Sequence, residues 1–224
     1  MFKNRFHRNL FWLIAVSSIL RLIAAATLEL GNDEVYYWTY ALYPDWSHFD
    51  HPPLVGVFIQ LFSLNLLFDS EIFIRLSSVV FAAFNTWLFF KIGKRLKNEI
   101  VGWYASLLYT ASLYSSLIVG VFILPDTPQV FFWLMSLYLM LDILPNRELP
   151  AGSKQKMIFL GLTIGLGMLS KYNSVFLWIG TGLYIIFYNR NWLKTYQLYL
   201  SIIISGLLLI PILYWNVQND FISF

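Results

Sequence analysis

The chain contains no cysteine, which excludes a disulfide framework and any thiolate metal site. Charge is scarce too: Asp, Glu, Lys and Arg make up 12% of the 224 residues, about half the ~25% usual in a soluble domain. Lys and Arg are missing altogether from residues 22–74, a stretch that holds seven acids. No low-complexity tract and no repeat of fixed period is present, so a solenoid is excluded. Apolar surface is what the sequence has in excess: 58% of residues are hydrophobic, 19% aromatic, and the mean hydropathy is +0.64. Such a chain is neither disordered nor a water-soluble globule. A net charge of +3 and pI ≈ 9.0 would ordinarily suggest nucleic acid. Here the basic residues fall in short clusters between apolar runs, which reads as membrane topology, and no nucleic-acid partner is expected.

A helix that crosses the roughly 30 Å hydrocarbon core needs about 20 apolar residues. Leu10–Leu30, Ile72–Phe90, Ile100–Gly120, Pro128–Leu144 and Leu198–Trp215 qualify. Met157–Tyr188 would run to about 48 Å as one helix, and Ser170-Lys171-Tyr172-Asn173 interrupts it midway, so two helices with Lys171 at the turn are expected. Gly161, Gly165 and Gly167 within it suit close helix packing. Pro52–Phe68 is apolar but opens on Pro52-Pro53 and carries Gln60, Ser63 and Asn65. With that segment lying in the interface, Lys3, Arg5, Arg8, Lys91, Lys94, Arg95, Lys97, Arg147, Lys154, Lys156, Arg190 and Lys194 all share one side, in keeping with the positive-inside rule. The expectation is an all-α polytopic membrane protein of about seven transmembrane helices, in the inner or plasma membrane with the N-terminus cytoplasmic. An interfacial helix is expected in the first outer loop, residues 31–71. The basic start and Ala24-Ala25-Ala26 imitate a signal peptide, but Arg21 spoils the apolar region, so a retained first span is expected.

That outer loop is where chemistry would sit. Asp33 and Glu34 are adjacent carboxylates at a helix end where lipid and water meet, a setting suited to a general base; the plainer reading is a solvated loop with an aromatic belt. His48-Phe49-Asp50-His51 offers His48, Asp50 and His51 as ligands for a divalent cation, Mg²⁺, Mn²⁺ or Ca²⁺ by the oxygens and Zn²⁺ by the imidazoles; a structural or phosphate-facing His is the alternative. Asp126, in Leu124-Pro125-Asp126-Thr127-Pro128, is expected on the same face, although Asp or Thr followed by Pro also describes an ordinary helix start. Lys171 joins that face either as a snorkelling interfacial lysine or as a cation for a phosphate.

Gly31-Asn32-Asp33-Glu34-Val35-Tyr36-Tyr37-Trp38, Phe49-Asp50-His51-Pro52-Pro53-Leu54, Leu124-Pro125-Asp126, Leu169-Ser170-Lys171-Tyr172 and Pro211-Ile212-Leu213-Tyr214-Trp215-Asn216 occur in that order. Together they resemble the polytopic GT-C glycosyltransferases, in the bacterial branch related to protein O-mannosyltransferases and lipid A aminoarabinose transferases. The resemblance implies transfer of a sugar from a polyprenyl-phosphate carrier to a lipid, glycan or protein acceptor on the outer face, with inversion. It implies catalytic carboxylates at Asp33, Glu34 and Asp126, and contacts to the donor phosphate or a metal at Asp50, His51, Lys171 and Tyr36. Some relatives carry Arg in place of Tyr36 and Lys in place of His51. Members of that family are longer, so residues 1–224 are expected to be the N-terminal part of a GT-C transmembrane domain. A transporter is the main rival, but it would place its ionisable residues near the bilayer midplane. Here Arg21, Arg75 and Asp142 fall toward span ends and the acids crowd one loop. An inactive transferase fragment is the third reading.

Overall fold

The computed structural model describes residues 5–223, all helix and connection, with no strand among them. The helices are α1 (Arg5–Thr27), α2 (Asn32–Leu42), α3 (Leu54–Phe62), α4 (Glu71–Leu96), α5 (Glu99–Ala111), α6 (Asp126–Ile143), α7 (Ala151–Ser170), α8 (Phe176–Tyr188), α9 (Tyr196–Leu208) and α10 (Ile210–Gln218). A π-helical turn, Tyr114–Ile118, follows α5. The chain divides into two compact units, one of residues 1–45 and 53–131, the other of residues 46–52 and 132–224.

Among the described residues, α1, α4 and the stretch Tyr196–Gln218 are long and apolar enough to cross a membrane. At 23 residues α1 measures about 35 Å, enough for the hydrocarbon core. Its faces are inverted relative to a soluble helix: Ser17, Arg21 and Ala25 are buried, whereas Trp12, Ile19, Leu20 and Ile23 are exposed. Lipid tails solvate such an apolar exterior at no cost, while a polar residue has to find partners inside. The expected segment Pro52–Phe68 forms only the nine-residue α3, about 14 Å long and too short to span. The expected break after Ser170 is real: Lys171 is extended, and a 3₁₀ turn, Tyr172–Val175, leads into α8. α5 and α8 have 13 residues each, about 20 Å, short of a full crossing as single helices. Leu198–Trp215 is divided between α9 and α10 at Leu209, because Pro211 has no N–H to continue the helical ladder and its ring crowds the preceding turn.

In the first unit α4 and α5 fold back on each other through a tight turn at Lys97-Asn98, where the Asn98 side chain accepts the Val101 N–H at 3.0 Å as an N-cap. A Cβ on Gly93 would lie 2.8 Å from the Gly102 Cα, so the paired glycines allow the two backbones to touch. In the second unit Gly161 of α7 meets the Ser201 backbone of α9, and Ser205 donates to the Gly161 carbonyl. The core of that unit gathers Met157, Leu160, Ile164, Leu177, Ile185 and Trp192.

One interaction ties four segments of the first unit together. Arg75, one turn into α4, donates from Nε to Glu34 Oε1 at 2.7 Å and from Nη2 to Oε2 at 2.6 Å, with both side chains almost wholly buried (0% and 3% exposed). Its remaining N–H groups reach the carbonyls of Ala25 at 3.2 Å, in the last turn of α1, and of Leu28 at 2.6 Å and Glu29 at 2.9 Å, just beyond the helix. Glu34 in turn accepts the Gly31 N–H at 3.0 Å and the Ile123 N–H at 3.1 Å.

Arg75→Ala is expected to cost about 3–5 kcal/mol by stranding a buried carboxylate. The double variant Glu34→Leu/Arg75→Met should recover part of that loss; thermal unfolding in detergent, compared across the cycle, checks both. Gly161→Ala is expected to lower the unfolding temperature by forcing α7 off α9, whereas Gly180→Ala, with open space around it, leaves it unchanged.

Candidate active site

The first unit brings Asp33, Glu34, Tyr36 and Asp126 onto its α2 and α6 ends. Asp33 and Glu34 both lie in the first turn of α2, where the helix dipole favours carboxylates. Glu34 turns inward to Arg75 and closes back on the Gly31 N–H, the reciprocal half of a capping box. Asp33 turns outward and is exposed. The adjacent pair that the sequence groups together is therefore split by environment: one carboxylate is fully engaged in a buried ion pair, the other faces the outside.

Behind Asp33 on α2, Tyr36, Tyr37 and Tyr40 pack edge to face with ring centroids 5.3–5.5 Å apart. Tyr40 donates to the Tyr36 hydroxyl at 3.3 Å; Tyr36 is exposed, and its two neighbours are buried.

Asp126 is the first residue of α6 and is half-buried. Its Oδ1 accepts a hydrogen bond at 2.8 Å from Tyr114, which opens the π-helical turn. The Thr127 hydroxyl donates to the Phe122 carbonyl at 3.0 Å and accepts the Leu124 N–H at 3.4 Å, bracing the segment that leads into α6. Because Ile123 is hydrogen-bonded to Glu34, the same buried ion pair that sets α2 also fixes the chain three residues ahead of Asp126.

The second unit carries His48, Asp50, His51 and Lys171. The His51 Nδ1 stands 3.6 Å from Asp50 Oδ2, and the Ser223 hydroxyl donates to the His48 carbonyl at 3.2 Å. Among the described residues no three His, Asp or Glu side chains are grouped as a metal-ion ligand set, His48, Asp50 and His51 included. Lys171, half-buried, caps α7: its N–H bonds the Gly167 carbonyl, and its own carbonyl accepts the Ser174 N–H at 3.1 Å, which directs the chain into the 3₁₀ turn.

Two residues of the site escape a reading of the sequence. Arg75 had a signal, since an arginine inside an apolar span has to find an acidic or carbonyl partner; which acid it finds, 41 residues away, has none. Tyr114 is one of 14 tyrosines and carries no mark of its role.

The sequence profile of dolichyl-phosphate-mannose-protein mannosyltransferases matches residues 50–215. That match takes in Asp50, His51, Asp126 and Lys171, while Asp33 and Glu34 lie ahead of it. The lipid A galacturonosyltransferase of Rhizobium johnstonii is 22% identical over 193 residues, 84% of this chain and 38% of that protein. The crystal structure of apo ArnT from Cupriavidus metallidurans superposes with a TM-score of 0.70 at 17% identity, over 94% of this chain and 42% of that one. The chain thus spans less than half the length of these relatives, and its fold is that of the corresponding part of ArnT. The profile match covers most of the chain, and the chain belongs to the dolichyl-phosphate-mannose-protein mannosyltransferase family.

Proposed function

We propose that this chain carries the N-terminal part of a membrane glycosyltransferase, which moves a sugar from a polyprenyl-phosphate carrier to an acceptor hydroxyl at the outer face of the membrane. The observation that carries this reading is the division of the acidic pair: the buried bidentate contact of Glu34 with Arg75 holds α2 so that Asp33, exposed beside it, is the carboxylate available for proton transfer. Family membership supports the reaction class, and the galacturonosyltransferase relative supports a lipid acceptor ahead of a glycan or protein.

In the proposed step the acceptor oxygen attacks the anomeric carbon from the face opposite the phosphate. The new C–O bond forms as the bond from that carbon to the phosphate oxygen breaks, with inversion. The hydroxyl proton passes to the Asp33 carboxylate, and the electron pair of the broken bond leaves on the polyprenyl phosphate. A phosphate leaves readily, so countercharge matters more than a general acid; Lys171 and His51, with Asp50 beside the imidazole, are assigned to it. Tyr36 and its partner Tyr40 are assigned to the sugar or the donor headgroup. Asp126, held by Tyr114, is assigned to orienting the acceptor. In this topology the N-terminus is cytoplasmic, seven segments cross, and α2 and α3 lie at the outer face.

Asp33→Asn is expected to lower sugar transfer by about 10²–10⁴-fold, the usual contribution of a positioned base, while the protein still accumulates in the membrane. Transfer is read with labelled polyprenyl-phosphate sugar on membranes holding the intact protein; near-normal rates in that variant would overturn the assignment. Lys171→Ala and His51→Ala are expected to raise the apparent KM for the lipid donor with little change in kcat, and unchanged donor kinetics in both would remove them from the site. Label recovered in the protein fraction and absent from the lipid fraction would overturn the lipid acceptor alone.

A further inference from the structure

Two arginines are buried in the first unit, and the protein satisfies them very differently. Arg75 has a protein acceptor on every nitrogen. Arg21, on α1, is only 4% exposed, and its one hydrogen-bond partner among the described residues is the Ser17 hydroxyl, 3.1 Å from Nη1. Its Nε and Nη2 are buried without an acceptor, and among the described residues no carboxylate pairs with it. A guanidinium does not lose its proton to escape this situation, and an arginine inside a membrane span marks a functional site by default.

Arg21 lines a cavity of about 200 Å³, ample for several water-sized groups. Three hydroxyl residues, Ser17, Thr110 and Ser116, line it with Arg21, and Leu20 and Leu117 stand at its apolar side. Leu20 is 62% exposed on the lipid-facing surface of α1, so the cavity opens toward acyl chains. Gly120 makes room for the guanidinium: a Cβ there would lie 2.7 Å from Arg21 Nε. The rise from Arg21 to Thr27, the end of the helix, is six residues, about 9 Å, within reach of a headgroup drawn in from the nearer membrane surface.

We infer that this cavity is a binding site for the phosphate headgroup of a membrane lipid, with Arg21 as its countercharge. The planar fork of Nε and Nη2 matches a phosphate in two parallel hydrogen bonds, and the apolar side accommodates the lipid tail. Asp33, Glu34 and Asp126 do not line the cavity, and the inference stands independently of the transferase reading. The phosphate can come from the polyprenyl carrier or from bulk phospholipid, chemistries that Arg21 does not distinguish.

Native mass spectrometry of the intact protein in detergent, titrated separately with polyprenyl phosphate, phosphatidylglycerol and inorganic phosphate, tests the site. The wild type is expected to retain one phospholipid-type adduct, Arg21→Gln to bind it roughly tenfold more weakly or worse, and Arg21→Lys to fall between. If Arg21→Gln does not fold, as judged by its circular dichroism, Leu20→Trp, which narrows the mouth and leaves Arg21 intact, is expected to lose the adduct in its place. Preference for polyprenyl phosphate assigns the carrier as the source, and equal binding of both lipids assigns bulk phospholipid. Equal retention by wild type and whichever variant folds, no adduct on the wild type, or binding of inorganic phosphate without either lipid would overturn the inference.

Discussion

The buried contact between Arg75 and Glu34 sets the geometry of the first unit. In water such a pair would contribute little; out of water, each charge alone would be prohibitively costly, and the pair survives because every one of its hydrogen-bonding positions is filled. Those partners are not arbitrary. They are carbonyls in the last turn of α1 and just beyond it, the N–H that precedes α2 and the N–H of Ile123 on the approach to α6. The ion pair thereby helps to fix the end of one helix and anchors two others, and two carboxylates of the candidate site, Asp33 and Asp126, lie within three residues of a group it holds.

The remainder of the fold follows from changing the solvent. With lipid outside, a helix gains nothing by hiding leucine and isoleucine, and packing relies on close backbone approach and on hydrogen bonds between serines, threonines and carbonyls. Gly93 against Gly102, Gly161 against Ser201, Ser136 bonded to Thr163 at 2.9 Å and Trp178 bonded to Ser205 at 3.1 Å are the joints that result. Arg21 is a buried charged side chain at which this internal satisfaction stops short, which is why it stands out as a ligand site and Arg75 does not.

Much of this was legible in the sequence. Apolar runs gave the helices, the Ser170-Lys171-Tyr172-Asn173 interruption gave the turn between α7 and α8, and Pro52-Pro53 with the polar residues beyond marked α3 as too weak to span. Hydropathy counts residues, however, and not hydrogen bonds, so the run Ile100–Gly120 gave no sign that the α-helix stops at Ala111 and resumes as a π turn at Tyr114. The motif Asp33-Glu34 was visible as a pair, but its division was not, because that division depends on an arginine 41 residues away. Tyr114 and Asp126 meet across 12 residues for the same reason: pairing between segments is a property of the packed structure and leaves no local trace.

The division of labour within the acidic pair is tested most directly by Glu34→Gln, measured for unfolding temperature and for sugar transfer per folded molecule in the same preparation. If Glu34 positions and Asp33 reacts, the variant melts well below the wild type, because the buried Arg75 loses its countercharge, while the molecules that remain folded transfer sugar at a rate near normal. A variant that melts like the wild type and has lost transfer would place the chemistry on Glu34 and contradict the assignment.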